Sequence, residues 1–260
     1  MKRLLADMHV HTVLSPCASR EMSPPAIVRE ALQKGLAMIA VCDHNSAGNV
    51  GAVMEAAARA AAREPGGAGL TVIAGMEITT AEEAHVLGLF PDARAADRAS
   101  AEVRAGLPLW RPLSSNGPSA ALRSPEQELV DAAGELIGIE EKMLSAASRF
   151  TLSETVALIH RHGGLAIAAH MDRRSFSVPS QLGFLPPDVP LDGLEISAAG
   201  AARGRAKEFA GHGLPLVSSS DSHFLDDIGI SRTALAVEGP SFDEIALALA
   251  GVNGRGCGIA

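Results

Sequence analysis

Residues 4–11 read Leu4-Leu5-Ala6-Asp7-Met8-His9-Val10-His11. Apolar residues open the stretch, and from Asp7 onward polar and apolar side chains alternate. A period of two marks a half-buried strand, in which residues two apart share a face. Asp7, His9 and His11 are therefore expected to point one way. Two imidazoles on one face can grip a single metal ion. Taken alone, the same pattern also suits an exposed strand with incidental histidines.

Similar runs recur at 38–43, 70–78, 85–90, 165–170, 193–196, 214–219 and 233–237. Helical patterns lie between most of them. Pro24 and Pro25 open one that reaches about Lys34, with Gly35 as its stop. The alanine-rich residues 56–62 read as a soluble helix, and so do residues 153–162. Ser241, with Glu244 three positions on, reads as a capping box. Strands alternating with helices imply βα units, a parallel sheet and, at this length, one domain over residues 1–260. Residues 92–126 break the rhythm with Gly106, Gly117, Pro108, Pro112, Pro118 and Pro125. An irregular insertion is expected there, either a lid or a disordered segment.

The polar residues fall in a pattern. His9, His11, His44, Glu77, His170, Asp221 and His223 sit at or just past the C-terminal ends of strand candidates, whereas His85 begins one. In a parallel barrel that rim is where active sites are built. Asp221-Ser222-His223 repeats the shared-face geometry of the first strand. Asp43 and His44 are neighbours, so only one enters directly; His44 is the better ligand, and Asp43, like Asp7, is expected to support the ligands from behind. Glu77 follows an apolar run, where a carboxylate is costly unless it is paired or bound to metal. His85 or His170 alone would suit a hydrogen-bonded core position, and His160, His162 and His212 receive no role. Jointly, however, six of the nine histidines gather with two carboxylates at strand ends. That donor set suits Mn, Zn or Fe rather than Ca, and it exceeds the needs of one ion. Two or three divalent metals are expected.

The order D-x-H-x-H (7–11), D-H-N (43–45), G-x-E (75–77), H-x-L-G (85–88), A-H (169–170) and D-S-H (221–223) resembles the PHP (polymerase and histidinol phosphatase) family, in particular a stand-alone subgroup. The resemblance implies an α/β fold, a distorted (β/α)7 TIM-like barrel, with a trinuclear site at the strand C-termini. It implies that His9, His11, Glu77 and Asp221 hold one metal. Glu77 would bridge to a second, shared with His85 and His170, and His44 and His223 would hold a third. Family members usually add a His or Asp soon after the first pair. Here that stretch is Ser15-Pro16-Cys17, so Cys17 is the nearest candidate ligand, favouring Zn or Fe; the alternative is a small buried residue in a tight loop. The implied chemistry is hydrolysis of a phosphate ester by a metal-bridged hydroxide, with Asp221 or His223 passing a proton. Arg173 is expected to contact the phosphate, with Arg20 and Lys142 as weaker candidates. Alternatives are an amidohydrolase and a non-catalytic metal-binding module. Glu77 and the Asp-Ser-His ending disfavour the amidohydrolase, and the nearly complete ligand set disfavours the module.

Bulk properties narrow the partner. With 260 residues and 47% hydrophobic content, a sizeable core is assured and disorder is excluded. A net charge of −8, Trp110 and seven phenylalanines lead to the expectation of no large duplex nucleic-acid surface, and of a small phosphomonoester or nucleotide as substrate. Cys17, Cys42 and Cys257 are too scattered for a disulfide framework. With no signal-like or spanning stretch, the chain is expected in the cytoplasm, off the membrane.

Overall fold

The computed structural model describes residues 1–63, 66, 69–110 and 126–260. Its strands are β1 (Lys2–Val10), β2 (Met38–Val41), β3 (Thr71–Thr79), β4 (His85–Phe90), β5 (Glu128–Val130), β6 (Leu136–Ile139), β7 (Leu165–Ala168), β8 (Gly193–Ile196), β9 (Leu216–Ser218), β10 (Thr233–Val237) and β11 (Gly256–Ile259). β5 and β6 pair with each other. The rest form one sheet in the order β11-β10-β1-β2-β3-β4-β7-β8-β9. The β1-β2, β2-β3, β7-β8 and β8-β9 pairs are parallel. β4 runs against both its neighbours, and so does β10.

The sheet curls until its ends meet. Beyond β9, the Ser222 N–H donates to His9 O at 3.2 Å and the His11 N–H donates to Ser222 O at 3.0 Å. Below them the Thr233 hydroxyl accepts the Ser218 N–H at 3.0 Å and donates to Ser218 O at 2.9 Å. The result is a distorted, nearly closed α/β barrel of the TIM type.

Two apolar layers hold it. Outside, Ile39, Val41, Met76, Ile78 and Val86 pack against the helices. These include α1 (Pro24–Gln33), α2 (Val50–Arg63), α3 (Ala93–Ala105) and α4 (Leu152–Arg161), and α5 (Val178–Leu182) and α6 (Ala198–Ala202) follow further along the chain. α4 buries Leu152, Val156 and Ile159 at helical spacing, behind a full capping box between Thr151 and Glu154. Inside the barrel, Met8, Met38, Ala40, Leu87 and Ile167 meet Ile245 and Leu249 of α7 (Phe242–Leu249). Gly75 is needed here. A Cβ would lie 2.6 Å from Cys42 Sγ and 2.8 Å from Val41 O, so only glycine lets β2 and β3 close beneath Glu77.

Four local features differ from the sequence expectation. The β1-β2 register shifts between Asp7 and Val10. Met8 belongs to the inner layer and Val10 to the outer, so Met8 and His9 both face inward, as a bulge allows. Asp7 therefore does not join the histidines: it accepts from the Ser220 N–H (3.0 Å), the Ser220 hydroxyl (2.6 Å) and the Gly229 N–H (2.8 Å). The reversal of β4 sets His85 opposite Thr79, which brings the first residue of this strand to the rim where the other strands end. Residues 93–105, expected to be irregular, form α3, whose Asp92 cap accepts the Ala95 N–H at 2.8 Å. The rest of that irregular stretch from 111 to 125 lies outside the described residues. At α7, Ser241 accepts the Glu244 N–H at 3.2 Å, but the Glu244 carboxylate turns to the Glu238 N–H and Arg255, so the box is half made. No helix among the described residues is long and apolar enough to cross a membrane.

Candidate metal centre

His9 and His11 lie at and just beyond the end of β1, Glu77 lies near the end of β3, and His85 opens the reversed β4. His44, His170, Asp221 and His223 follow β2, β7 and β9. The strand ends bring all eight to one rim. The Nε2 atoms of His9 and His11 are 3.1 Å apart. Asp221 Oδ1 lies 3.1 Å from His11 Nε2 and 3.3 Å from His9 Nε2. Glu77 approaches His9 and His11 at 3.5 Å, His85 Nδ1 at 2.7 Å, His44 Nδ1 at 3.0 Å and His170 Nε2 at 3.2 Å. The His223 ring stacks on His11 with centroids 4.1 Å apart.

Among the described residues, three donor groups are close enough to hold an ion. They are His9, His11, Glu77 and Asp221; His44, Glu77 and His85; and His11, His44 and His223. The first matches the set implied by the family resemblance. The other two differ from it: His44 joins Glu77 and His85, while His170 approaches the same carboxylate. Cys17 is exposed, with Sγ 3.2 Å from His44 Nε2. It is not the buried loop residue of the alternative reading.

A second layer sets the tautomers. His9 Nδ1 lies 3.2 Å from the Glu195 carboxylate, so Nδ1 carries the proton and the Nε2 lone pair faces the ring. Glu195 also accepts the His170 N–H at 3.0 Å. The Ser15 hydroxyl donates to Asp43 at 2.7 Å and accepts from His11 Nδ1 at 2.9 Å, which leaves that Nε2 bare as well. Asp43 holds the loop by accepting the Thr12 N–H and hydroxyl, both at 2.7 Å. The His223 Nδ1–H donates to Asp221 O at 2.9 Å. Glu195 is not among the residues singled out from the sequence. It sits inside Gly193-Leu194-Glu195-Ile196, where a carboxylate in an apolar strand is the same signal that marks Glu77. His170 and Asp221 adopt positive φ, at 29° and 52°. Left-handed backbone costs an L-residue about 1–2 kcal/mol and gathers at functional sites.

Burial opposes charge throughout the ring, and the neighbours decide the outcome. His85, His9 and His44 outweigh burial to hold Glu77 well below the usual carboxylate range. Burial disfavours the His9 imidazolium, but Asp221, Glu195 and Glu77 keep its pKa well above the ordinary value. Burial and the adjacent His223 push His11 well below it. Against burial, Glu77 and Cys17 raise His44 to about 10. Burial raises the Cys17 thiol, yet His223 and His44 bring it down to about 7.

The donor set fits metal ions. His44 Nδ1, Glu77 Oε2, His85 Nδ1 and His170 Nδ1 are buried without a hydrogen-bond partner of proper geometry. Each such orphan costs about 1–3 kcal/mol. These buried polar atoms gather around one carboxylate without partners of proper geometry, a demand that bound cations would meet.

Arg173 Nη1 lies 2.5 Å from Asp221 Oδ2. It lines a cavity of about 240 Å3 together with His44, His85, His170, Phe176 and His223. Arg20 is exposed and is not part of that lining. Lys142 donates to Leu107 O at 3.0 Å, so neither weaker candidate reaches the cavity. His160 and His162 pair with Asp192 and Glu102, each at 2.8 Å.

A family model described as PHP domain matches residues 7–180, and one described as PHP-associated matches residues 200–250. No curated protein matches the chain. Among solved structures, the lesion-specific endonuclease Q of Pyrococcus furiosus superposes with a TM-score of 0.67 at 18% identity, over 98% of this chain and 58% of that one. Endonuclease Q in complex with a 27-mer duplex, with an abasic lesion at the active site, gives 0.62 at 17% over the same shares. A Bifidobacterium adolescentis protein described as a candidate metal-dependent phosphoesterase gives 0.54 at 20%, over 84% of this chain and 87% of that one. The chain thus spans 58% of the length of endonuclease Q. At these identities the likeness is one of fold.

One expectation is corrected by it. The net charge had excluded a large duplex partner and favoured a small substrate. Endonuclease Q, which superposes on 98% of this chain, is solved in complex with a duplex substrate, so that exclusion does not stand. Net charge counts the carboxylates of a site that cations would neutralise, and it says nothing of how charge is distributed.

Proposed function

Because the chain belongs to the PHP domain family of metal-dependent hydrolases, we propose that it hydrolyses phosphate esters, with a phosphodiester of nucleic acid as substrate. The observation that carries this reading is the ring itself: six imidazoles and two carboxylates converge at one barrel rim. The nucleic-acid substrate rests on the likeness to endonuclease Q over 98% of the chain.

In this reading His9, His11, Glu77 and Asp221 would hold one cation, Glu77, His85 and His170 a second, and His44, His223 and Cys17 a third. Zn, Mn or Fe suits these donors, and a Cys17 thiolate favours Zn or Fe. Bound divalent ions would acidify water and offset charge on the phosphoryl oxygens. The chain's own residues do the rest. Glu195 and Ser15 hold His9 and His11 in the tautomer whose lone pair faces the ring. Asp7 pins Ser220 and with it the loop that carries Asp221 and His223. Arg173, paired with Asp221, lines the cavity where its guanidinium would fork onto a phosphoryl oxygen. Asp221 and His223 are the groups placed to pass a proton at the cavity edge.

The test is a substrate panel with metal-loaded and chelated protein: plain and abasic-site duplexes, a single-stranded oligonucleotide, nucleoside monophosphates and an amide. Chelator-sensitive cleavage of an oligonucleotide is the expected result. Turnover of the amide alone would move the assignment to an amidohydrolase. Tight metal binding without turnover of any ester would make the chain a binding module.

Loading should also release protons. Glu77 and Cys17 raise His44 against burial to about 10, so its protonated form is favoured at neutral pH. A ligating imidazole must lose that proton. Affinity should therefore rise with pH through the neutral range, about tenfold per unit for each proton displaced. Metal titration in weakly buffered solution reads this directly; uptake without acidification would contradict the ligand assignment.

A further inference from the structure

Phe176 is out of place for an apolar residue. It is 43% exposed, yet it lines the metal-site cavity beside Arg173. Its backbone is left-handed, with φ at 58°, a conformation in which a bulky residue is a genuine outlier. The chain holds it there deliberately. The Phe176 carbonyl accepts the His85 N–H at 2.8 Å. The Ser177 hydroxyl donates to Arg173 O at 2.7 Å, and its oxygen accepts the Ser180 N–H at 3.2 Å, closing the loop onto α5. The Arg173 N–H in turn donates to His170 O at 2.9 Å. The ring stacks on His85 with centroids 4.7 Å apart and planes 18° from parallel.

One face of the ring thus lies on a residue of the proposed metal centre, and the residue is still more than two-fifths exposed. A residue that served only to cover His85 would gain by burying its remaining surface. What completes such a site is a flat apolar group attached to a phosphate, since the guanidinium of Arg173 and the metal ring lie in the same cavity. A nucleobase has that chemistry, and base stacking on aromatic rings tolerates any sequence because every base has a π face.

We propose that Phe176 is the stacking platform for the base adjoining the scissile phosphate, which makes it a specificity residue of this site. The inference rests on the phosphodiester reading above and names the part of the substrate that the protein feels beyond the phosphate.

The experiment compares wild type with Phe176→Leu and Phe176→Trp, each metal-loaded, with metal content and thermal unfolding measured alongside. Two phosphodiesters with one leaving group are used: thymidine 5′-(p-nitrophenyl phosphate) and methyl p-nitrophenyl phosphate. Phe176→Leu should lower kcat/KM for the thymidine ester about tenfold more than for the methyl ester and keep its metal, while Phe176→Trp retains the preference. Equal losses on both esters, or loss of metal, would show that Phe176 acts only by supporting His85 and overturn the proposal. Unchanged kinetics on both would overturn it as well. If wild type turns over neither ester, the phosphodiester reading fails by itself. Binding of a fluorescent single-stranded oligonucleotide then decides the stacking claim: about tenfold weaker binding by Phe176→Leu supports it, and equal or absent binding by wild type and variant sinks it.

Discussion

Glu77→Gln should leave a folded barrel that turns over phosphate esters on the order of 10^3-fold more slowly than wild type, a loss of about 4 kcal/mol in transition-state stabilisation. The side chain keeps its shape, and Gly75 still gives β3 its close approach to β2. What changes is charge at the point where the donor groups meet. The Glu77 carboxylate lies within 3.5 Å of nitrogens of His9, His11, His44, His85 and His170. It also helps hold His9 and His44 above their ordinary values. An amide offers one weaker oxygen and turns N–H donors toward lone pairs, so two cation sites weaken together. Metal content by elemental analysis should fall with activity, and excess metal should not restore the rate. Wild-type metal content and turnover in Glu77→Gln would remove Glu77 from the centre.

Glu195→Gln should behave differently. Glu195 touches no proposed cation; it accepts from His9 Nδ1 and from the His170 N–H. Loss of the negative charge weakens the fix on the His9 tautomer and lowers the basicity of its Nε2. Changes behind a metal ligand typically cost 10–100-fold in metal affinity. At saturating metal the rate should return nearly to that of wild type. That rescue separates the two glutamates, because an inert residue would show no loss and a direct ligand no recovery. Isothermal titration with metal, followed by kinetics across metal concentrations, supplies both readings.

The contrast between these two residues also shows how far the sequence was readable. The D-x-H-x-H stretch, the apolar runs and the polar residues at their ends led to the barrel and to most of the ring. The direction of β4 was not legible, because the apolar run of five after His85 looks the same from either end; His85 therefore fell at the wrong end of its strand. The bulge near His9 depends on pairing with β2 and Ser222, partners far along the chain. α3 went unseen because its buried stripe is mostly alanine, which gives a faint hydrophobic pattern before a run of prolines. Glu195 stands 186 residues from His9, and nothing local joins them. The partner was not legible because net charge sums over the whole chain, whereas binding depends on where the charge lies.

The central claim is that the rim is a multi-metal centre. Anomalous diffraction from crystals grown with Mn or Zn, collected on both sides of the absorption edge, tests it most directly. The account predicts at least two peaks, one among His9, His11, Glu77 and Asp221 and another between Glu77 and His85. A single ion elsewhere on the surface, or a ring without anomalous density in metal-saturated crystals, would contradict it.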